Sequence, residues 1–261
     1  MSKAVVPARS RSARPKRAPQ SHRTVDRVTQ ILEEVVYKPG MTFAELVVAL
    51  GAAKSSVYGF IGGLLANGWL YEEQGRYYLG PAVYSLTIAS GHIRAGLVND
   101  ADLIKLHNET GNAVFLGTRA GDHLIYIAEA GSDAVAEFEA RSNIRRTLLL
   151  TAGGKALLAA RPDAEIQAYL RRRSPDEAEL VNTFLAQIDE IRRTGFAINV
   201  GRTGRLGIAT VVRNREGEAV ATVTLVGPAN ELQPRARELG ELLIKRANEW
   251  ARRSLRPREA I

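Results

Sequence analysis

The sequence predicts a two-part α+β protein, with three helices and a β-hairpin near the N-terminus and helices grouped on an antiparallel sheet beyond them. Three observations carry that expectation. At 261 residues the chain is longer than one small domain needs. Apolar residues recur at helical spacing over 24–67, interrupted at Pro39-Gly40 and Gly51. From 113 to 226, short runs of Val, Ile, Leu and Phe alternate with Gly-containing turns of the kind that join hairpin strands.

Residues 1–23 are a tail of Arg, Lys, Pro, Ser and Ala, too poor in large apolar residues to fold alone and compatible with nonspecific contact to phosphates. Over Thr24 to Tyr37, Val25, Val28, Ile31, Leu32, Val35 and Val36 make one apolar stripe. Thr42-Phe43-Ala44-Glu45 is a capping box, in which the Thr and Glu side chains satisfy each other's free amides. The helix it opens turns Phe43, Leu46, Val47 and Leu50 inward and stops at Gly51. A third helix, Lys54 to Asn67, buries Val57, Ile61, Leu64 and Leu65. Its other face carries Lys54, Ser55, Ser56, Tyr58, Gly59, Gly62 and Gly63. Trp69 to Glu72 and Arg76 to Leu79 read as two strands around Gln74-Gly75. Helix, helix, tight turn, helix, hairpin is the order of a winged helix-turn-helix, here over 24–80, whose third helix enters the major groove of double-stranded DNA. A glycine inside a helix costs about 1 kcal/mol relative to alanine. Three on one face point beyond folding, to close approach of the helix to DNA.

Residues 81–96, with an apolar helix from Pro81 towards Arg94, read as a linker. The larger unit, 97–253, opens with a helix over Leu97 to Thr110 and a hairpin of Ala113 to Gly117 with Leu124 to Ala128. Ala134 to Ala140 alternates like a strand, and Thr151-Ala152-Gly153-Gly154-Lys155 sits where strand becomes helix, the helix closing at Pro162. Helices over Asp163 to Leu170 and Asp176 to Thr194 precede strands at Phe196 to Val200, Leu206 to Val212 and Ala219 to Val226. Gly227-Pro228 is expected to stop the sheet, Pro234 to Arg253 to form a final amphipathic helix, and 254–261 to be a basic tail.

The formal net charge of +8 suits an anionic partner, either nucleic acid or an acidic membrane surface. No apolar run approaches the roughly 20 residues that span a bilayer, and the N-terminus lacks the apolar stretch of a signal peptide. No membrane is expected, and the cytoplasm is. The chain has no cysteine, which removes disulfides, thiol catalysis and Cys-ligated zinc. His22, His92, His107 and His123 are scattered, so no catalytic residue, metal or cofactor is expected. Glu137 and Glu139 share one strand face, which an exposed face explains as well as a catalytic pair does. A phosphate-binding loop ending at Lys155 needs Gly at 149 and Ser or Thr at 156, where this chain has Leu149 and Ala156.

Four stretches, in the right order and at the right separations, make the chain resemble the IclR (isocitrate lyase regulator) family from about Thr24 to Trp250. They are TFAELVVALGAAKSSVYGFIGGLL (Thr42 to Leu65), GRYYLG (Gly75 to Gly80), TAGGKALLA (Thr151 to Ala159) and Gly207 to Pro228 with its Gly-Pro ending. The resemblance implies a regulator, a repressor rather than an activator in our reading, that binds operator DNA as a homodimer or dimer of dimers. It also implies a GAF-like antiparallel-sheet domain that takes a small organic effector, often a carboxylate. A DNA-binding protein without a ligand is the alternative, and the size of the second unit argues against it; an enzyme is the remotest.

The residues point to the effector site independently. Backbone amides of Thr151 to Gly154 and the positive end of the helix dipole converge on one point, which holds a carboxylate. The resemblance places effector contacts on Ala152, Gly153, Asn199, Gly207, Thr224 and Val226. Several family members carry Asp at position 199, Cys at 207 and Ser at 226, and the loop between Asn199 and Leu206 is shorter here. Gly207 is expected to add room and Val226 apolar surface, favouring a bulkier, partly aromatic or aliphatic acid. Phe115, Ile208 and Val226 are expected to enclose its apolar part, with Asn199 and Thr224 offering hydrogen bonds, although an ordinary strand threonine explains Thr224 as well. Gly153→Asp is expected to abolish the ligand response. On the DNA side, Ser55, Ser56 and Tyr58 are expected to reach base edges or phosphates, Lys54 and Arg76 to hold phosphates, and Thr42 to make a further contact.

Overall fold

The structure, a computed structural model, describes residues 22–89, 98–131, 145–201 and 203–253. The strand expected over Ala134 to Ala140, with Glu137 and Glu139, lies outside the described residues, as do His92, the end of the linker, 254–261 and all but the last residues of the N-terminal tail.

Three helices, α1 (Arg23–Tyr37), α2 (Phe43–Leu50) and α3 (Lys54–Ala66), close around Ile31, Val35, Leu46, Leu50, Val57, Ile61 and Leu64. The chain turns by 117° between α2 and α3, within the range of a helix-turn-helix. The capping box at Thr42 is formed: its hydroxyl accepts the Glu45 N–H at 3.4 Å, and Glu45 Oε2 accepts the Thr42 N–H at 2.7 Å. Strands β2 (Leu70–Glu73) and β3 (Arg76–Leu79) form the wing, and a two-residue strand β1 (Met41–Thr42) joins β3 on its far side. Two residues are too short to leave a periodicity, so β1 has no signature in the sequence. At the wing tip Gln74 and Gly75 both take positive φ, 51° and 73°, the geometry whose twist matches two antiparallel strands. Helix α4 (Pro81–Ala89) follows directly.

The second core is a six-stranded antiparallel sheet. Its strands are β4 (Ala113–Ala120), β5 (His123–Ala130), β6 (Arg146–Thr147), β7 (Phe196–Val200), β8 (Arg205–Arg213) and β9 (Ala219–Pro228), in spatial order β6-β5-β4-β9-β8-β7. Helices α5 (Asp100–Thr110) and α10 (Ala236–Arg253) cover one face over Val114, Leu116, Ile208, Val223 and Leu225. Helices α6 (Ala152–Ala159), α7 (Asp163–Leu170) and α8 (Ala178–Thr194) cover the other, over Leu124, Ala197 and Ala209. A four-residue helix α9 (Ala229–Leu232) links β9 to α10.

Three expectations are corrected. Helix α5 begins at Asp100, because Asn99 and Asp102 form a capping box that overrides the apolar pattern upstream. The sheet runs through Gly227 to Pro228, which pairs with Arg205; proline is tolerated at a strand end, where its missing N–H is least needed. The stretch just before Thr151, expected to be strand, is at Leu148–Leu150 a tight 3-10 turn, the strand β6 having ended at Thr147.

Candidate ligand site and nucleic-acid interface

Alternation along the strands decides which residues meet α6. Thr224 on β9 lies opposite Phe115 on β4 and Ala209 on β8, while Val226 lies opposite Ala113 and Gly207, and Gly207 opposite Asn199 on β7. These positions share the sheet face on which α6 packs. Ile208 does not. It pairs with Leu225 and is fully buried with Leu239 and Leu243 on the opposite face, so it cannot enclose a ligand held at α6. Once Gly207 is turned to α6, the period of two sends Ile208 away.

The start of α6 is buried throughout, from Thr151 to Gly154. Thr151 caps the helix, its Oγ1 accepting the Gly154 N–H at 3.0 Å. A methyl on Gly154 would stand 2.2 Å from the Leu148 carbonyl oxygen, and one on Gly153 would stand 2.8 Å from Thr222 Cγ2 and 3.1 Å from Thr224 Oγ1. Both glycines therefore seat the helix on its own protein. Gly207 differs: a methyl there would meet Ala152 Cβ at 3.4 Å and Thr224 Cγ2 at 3.6 Å, ordinary van der Waals contact, so the glycine leaves space for about one methyl beside α6.

Thr224 stands out in this layer. Its neighbour on the same face, Thr222, donates to the Thr210 carbonyl at 2.9 Å. Thr224 is 1% exposed and its Oγ1 has no hydrogen-bond partner among the described residues. Leaving a buried hydroxyl unpaired costs roughly 1–3 kcal/mol. An ordinary strand threonine would be satisfied as Thr222 is. Beside it, Asn199 Nδ2 donates to the Leu150 carbonyl at 3.0 Å and so braces the turn before α6. Ala113 and Phe115 form a small apolar cluster with partly buried Val226 and Tyr126, the two rings 5.3 Å apart. Sequence reasoning does not find Tyr126, because the β4–β5 register shifts between Leu116 and Gly117, which alternation alone does not reveal.

Lys155, next along α6, is 3% exposed, and its ammonium donates to Gln187 Oε1 at 2.9 Å. Burial lowers its pKa below the ordinary lysine range. A cleft of about 730 Å³ lies elsewhere, between α8, β7 and α10, lined by Gln187, Ile191, Phe196, Ile198 and Arg237 among others. None of the residues lining it has a buried side-chain polar atom left unpaired. Its two arginines, Arg193 and Arg237, are already paired with Glu190 and Glu241, and Thr224 beside the start of α6 is the better candidate.

On the winged unit, Lys54, Ser55, Ser56, Tyr58, Gly59, Gly62 and Gly63 are all exposed along α3, as expected. Ala53 caps α3 with no side-chain hydrogen bond, which leaves the first helical amides without a side-chain acceptor. Tyr58 is 73% exposed and stands edge-on to Phe43, ring centroids 6.2 Å apart. Two expected DNA contacts are partly occupied. The Thr42 hydroxyl also donates to Glu45 Oε2 at 2.9 Å, so it serves the cap. Arg76 Nη1 donates to the Gly40 carbonyl at 2.8 Å. No group of three or more His, Cys, Asp or Glu suited to a metal occurs among the described residues, and no single helix there is long and apolar enough to cross a membrane.

Comparison with known proteins places these features. The family described as "Bacterial transcriptional regulator IclR C-terminal" matches residues 93–252. The chain is 28% identical over 243 residues to the HTH-type transcriptional regulator BhcR of Paracoccus denitrificans, covering 87% of this chain and 85% of that protein. It is 26% identical over 190 residues to the HTH-type transcriptional repressor AllR of Klebsiella pneumoniae, covering 69% and 70%. Among solved structures, an IclR homolog from Microbacterium hydrocarbonoxydans complexed with 4-hydroxybenzoate shares the fold, with a TM-score of 0.68 at 18% identity over 88% of this chain and 98% of that one.

Proposed function

Because the chain belongs to the IclR family of bacterial transcriptional regulators, we propose that it controls its promoter by binding operator DNA through α3 and altering that binding when a small organic acid occupies the start of α6. The observation that carries the ligand half is the buried, unpaired Thr224 hydroxyl against a helix start. A carboxylate there accepts from the hydroxyl, and the helix dipole favours its charge. The Ala113, Phe115, Tyr126 and Val226 cluster offers an apolar wall to the rest of the molecule. An aromatic or branched aliphatic acid fits that chemistry, and the Microbacterium homolog holds 4-hydroxybenzoate.

DNA binding divides between bases and phosphates. Ser55, Ser56 and Tyr58 reach base edges, and Lys54 with the uncapped α3 amides holds phosphate. One α3 covers only a few base pairs, so two copies related by a two-fold axis meet two half-sites. Repression is the sense we assign, as the name of the Klebsiella relative supports. The division into a DNA-binding unit over 24–80, a linker over 81–96 and an effector unit over 97–253 belongs to the same proposal. The ligand acts only as far as it prefers one arrangement of the units over another.

The test is calorimetry with a panel of aromatic and aliphatic carboxylates on the parent and on Thr224→Val, alongside titration of DNA from upstream of its own gene. One acid should bind the parent, shift its DNA affinity, and bind the variant about tenfold more weakly, the loss of one hydrogen bond to a charged group. Equal affinity for parent and variant would place the ligand elsewhere. In the same titration, Ser56→Ala with Tyr58→Ala should relax sequence preference by about 1–3 kcal/mol for each base edge no longer read, and unchanged preference would remove α3 from the recognition surface.

A further inference from the structure

We propose that the far end of α6 and the β4–β5 turn form a second ligand site, which takes a phosphoryl dianion, free or carried by a small molecule, between Arg119 and Arg161. The site is separate from the one beside Thr224. Arg161 follows α6, and its Nη2 donates weakly to the Ala219 carbonyl at 3.4 Å. Ala219 lies five residues before Thr224 on β9, about 16 Å along the strand.

Arginines in a half-buried setting ordinarily hold an acid. These two do not. Arg119, near the end of β4, keeps 19% of its side chain exposed and donates through Nε to the Gly121 carbonyl at 2.7 Å. Its Nη2 and Nη1 stand 4.0 Å from Asp122 and Glu165, too far for hydrogen bonds. Asp122 is committed elsewhere, accepting from Arg172 Nη2 at 2.8 Å and Arg173 Nη2 at 2.6 Å. Glu165 is 55% exposed and remains in water. Arg161 has a buried Nε with no hydrogen-bond partner among the described residues. Capping the end of α6 does not account for Arg161, because Arg192 does that, its Nε donating to the Ala159 carbonyl at 3.1 Å.

The electrostatics agree with the geometry. Burial, and after it the charge of Arg161, push the Arg119 pKa below the ordinary arginine range, so the two cations repel each other across the site. Tyr169 on α7 adds a third donor to the same cluster. It is fully buried, its hydroxyl is unpaired among the described residues, and its ring lies 4.3 Å beneath the Arg173 guanidinium. Its pKa is pushed up to about 12, chiefly by burial, so it keeps its proton. Donors gathered without an acceptor fit an anion. A carboxylate satisfies one guanidinium fork, whereas a phosphoryl group brings three oxygens and nearly two charges, enough for both.

The experiment follows thermal unfolding of the full chain at about pH 8, where a phosphoryl group is largely a dianion, with ionic strength held constant by KCl. Inorganic phosphate, sulfate, glucose 6-phosphate and acetate are titrated in turn. Phosphate, sulfate or the sugar phosphate should raise Tm as a ligand of the folded state does, and acetate should do so far less. A stronger effect of glucose 6-phosphate than of inorganic phosphate assigns the site to an organic phosphate, and the reverse assigns it to the free ion. In Arg119→Gln with Arg161→Gln, the concentration giving half the effect should rise at least tenfold. Glu165→Gln, which removes a competing acid, should lower it about threefold, a gain that a structural role for the arginines would not produce. Should the double variant not melt cooperatively, Glu165→Gln decides. Equal responses of parent and double variant, an unchanged response in Glu165→Gln, or acetate as effective as phosphate would each overturn the proposal. So would weaker binding of duplex DNA by the double variant in phosphate-free buffer, because the two arginines would then be holding a backbone phosphate.

Discussion

Helices α3 and α6 each carry two adjacent glycines, and the two pairs have opposite surroundings. A methyl added at Gly62 or Gly63 of α3 meets nothing within 4 Å. The same methyl at Gly153 or Gly154 of α6 comes within 2.8 Å of Thr222 or 2.2 Å of the Leu148 backbone. Folding therefore requires the glycines of α6 and only tolerates those of α3, at about 1 kcal/mol each relative to alanine. A residue kept at a folding cost and facing open space points to something outside the chain. In α6, the unmet demand is instead the neighbouring hydroxyl of Thr224.

The contrast is sharpest at Gly154. Gly154→Ala drives a Cβ into the Leu148 carbonyl, and neither backbone can yield without unseating α6 from the sheet. A destabilisation of about 3 kcal/mol is expected, at the upper end for overpacking, or roughly 6–12 °C in Tm for a protein of this size. A variant that melts within a degree or two of the parent would show that α6 is not seated so closely. Gly153→Asp fails as a clean probe for the same reason. Its side chain would start 2.8 Å from Thr222 Cγ2, so weaker ligand binding and weaker packing would arrive together.

The next effect tests how dry the α6 layer is. Lys155 is buried with a neutral partner, Gln187, and burial lowers its pKa. The unfolded chain thus holds this proton more tightly than the folded one, so stability rises with pH as the medium passes from the folded pKa towards the ordinary lysine value. Below that window the penalty is fully present. Lys155→Met keeps the length of the side chain and removes the charge. It should stabilise the protein at pH 7 by about 1–2 kcal/mol, within the range for replacing buried ions by apolar groups. The difference between parent and variant should then shrink as pH rises through the alkaline range. A variant less stable than the parent at pH 7 would mean that the ammonium makes a stronger interaction than its bond to Gln187.

What is legible in the sequence depends on how local each determinant is. The start and stop of α2 lie in Thr42, Glu45 and Gly51, and the exposed face of α3 follows from a repeat within one helix. Both can be read directly. The room at Gly207 cannot, because its limit is set by Ala152, 55 positions earlier in the chain. Ile208 is a different case: the alternation that turns Gly207 towards α6 already excludes its neighbour, so the two could never have lined one pocket. The unpaired state of Thr224 depends on β4, β8 and α6 together. Periodicity marks such a residue as inward-facing but says nothing of whether its hydroxyl finds a partner.

Thr224 therefore offers a smaller test of the same comparison, read without any ligand. Thr224→Val replaces an unpaired buried hydroxyl by a methyl of similar shape. It should raise the stability of the ligand-free protein by about 1 kcal/mol, since the desolvation of that group is no longer uncompensated. The same change at Thr222 removes a made hydrogen bond to Thr210 and should lower stability by a similar amount. If the two substitutions moved Tm in the same direction, the two threonines would not differ as described.

The smallest effect belongs to α3, and there its sign matters more than its size. Gly62→Ala and Gly63→Ala each place a methyl in open space on a helix of ordinary geometry, so neither meets steric resistance within the chain. Each should stabilise the isolated protein by about 0.5–1 kcal/mol, because alanine loses less backbone entropy than glycine on entering a helix. On DNA the direction reverses. If the glycine face lies close against the duplex, each methyl must displace water or push the helix outward, and affinity for the upstream duplex should fall while Tm rises. Thermal unfolding and DNA titration of the same two variants separate the effects. Higher Tm with unchanged DNA affinity would show that the α3 glycines answer to no surface that DNA touches, and the parallel with Thr224 would lose its α3 half.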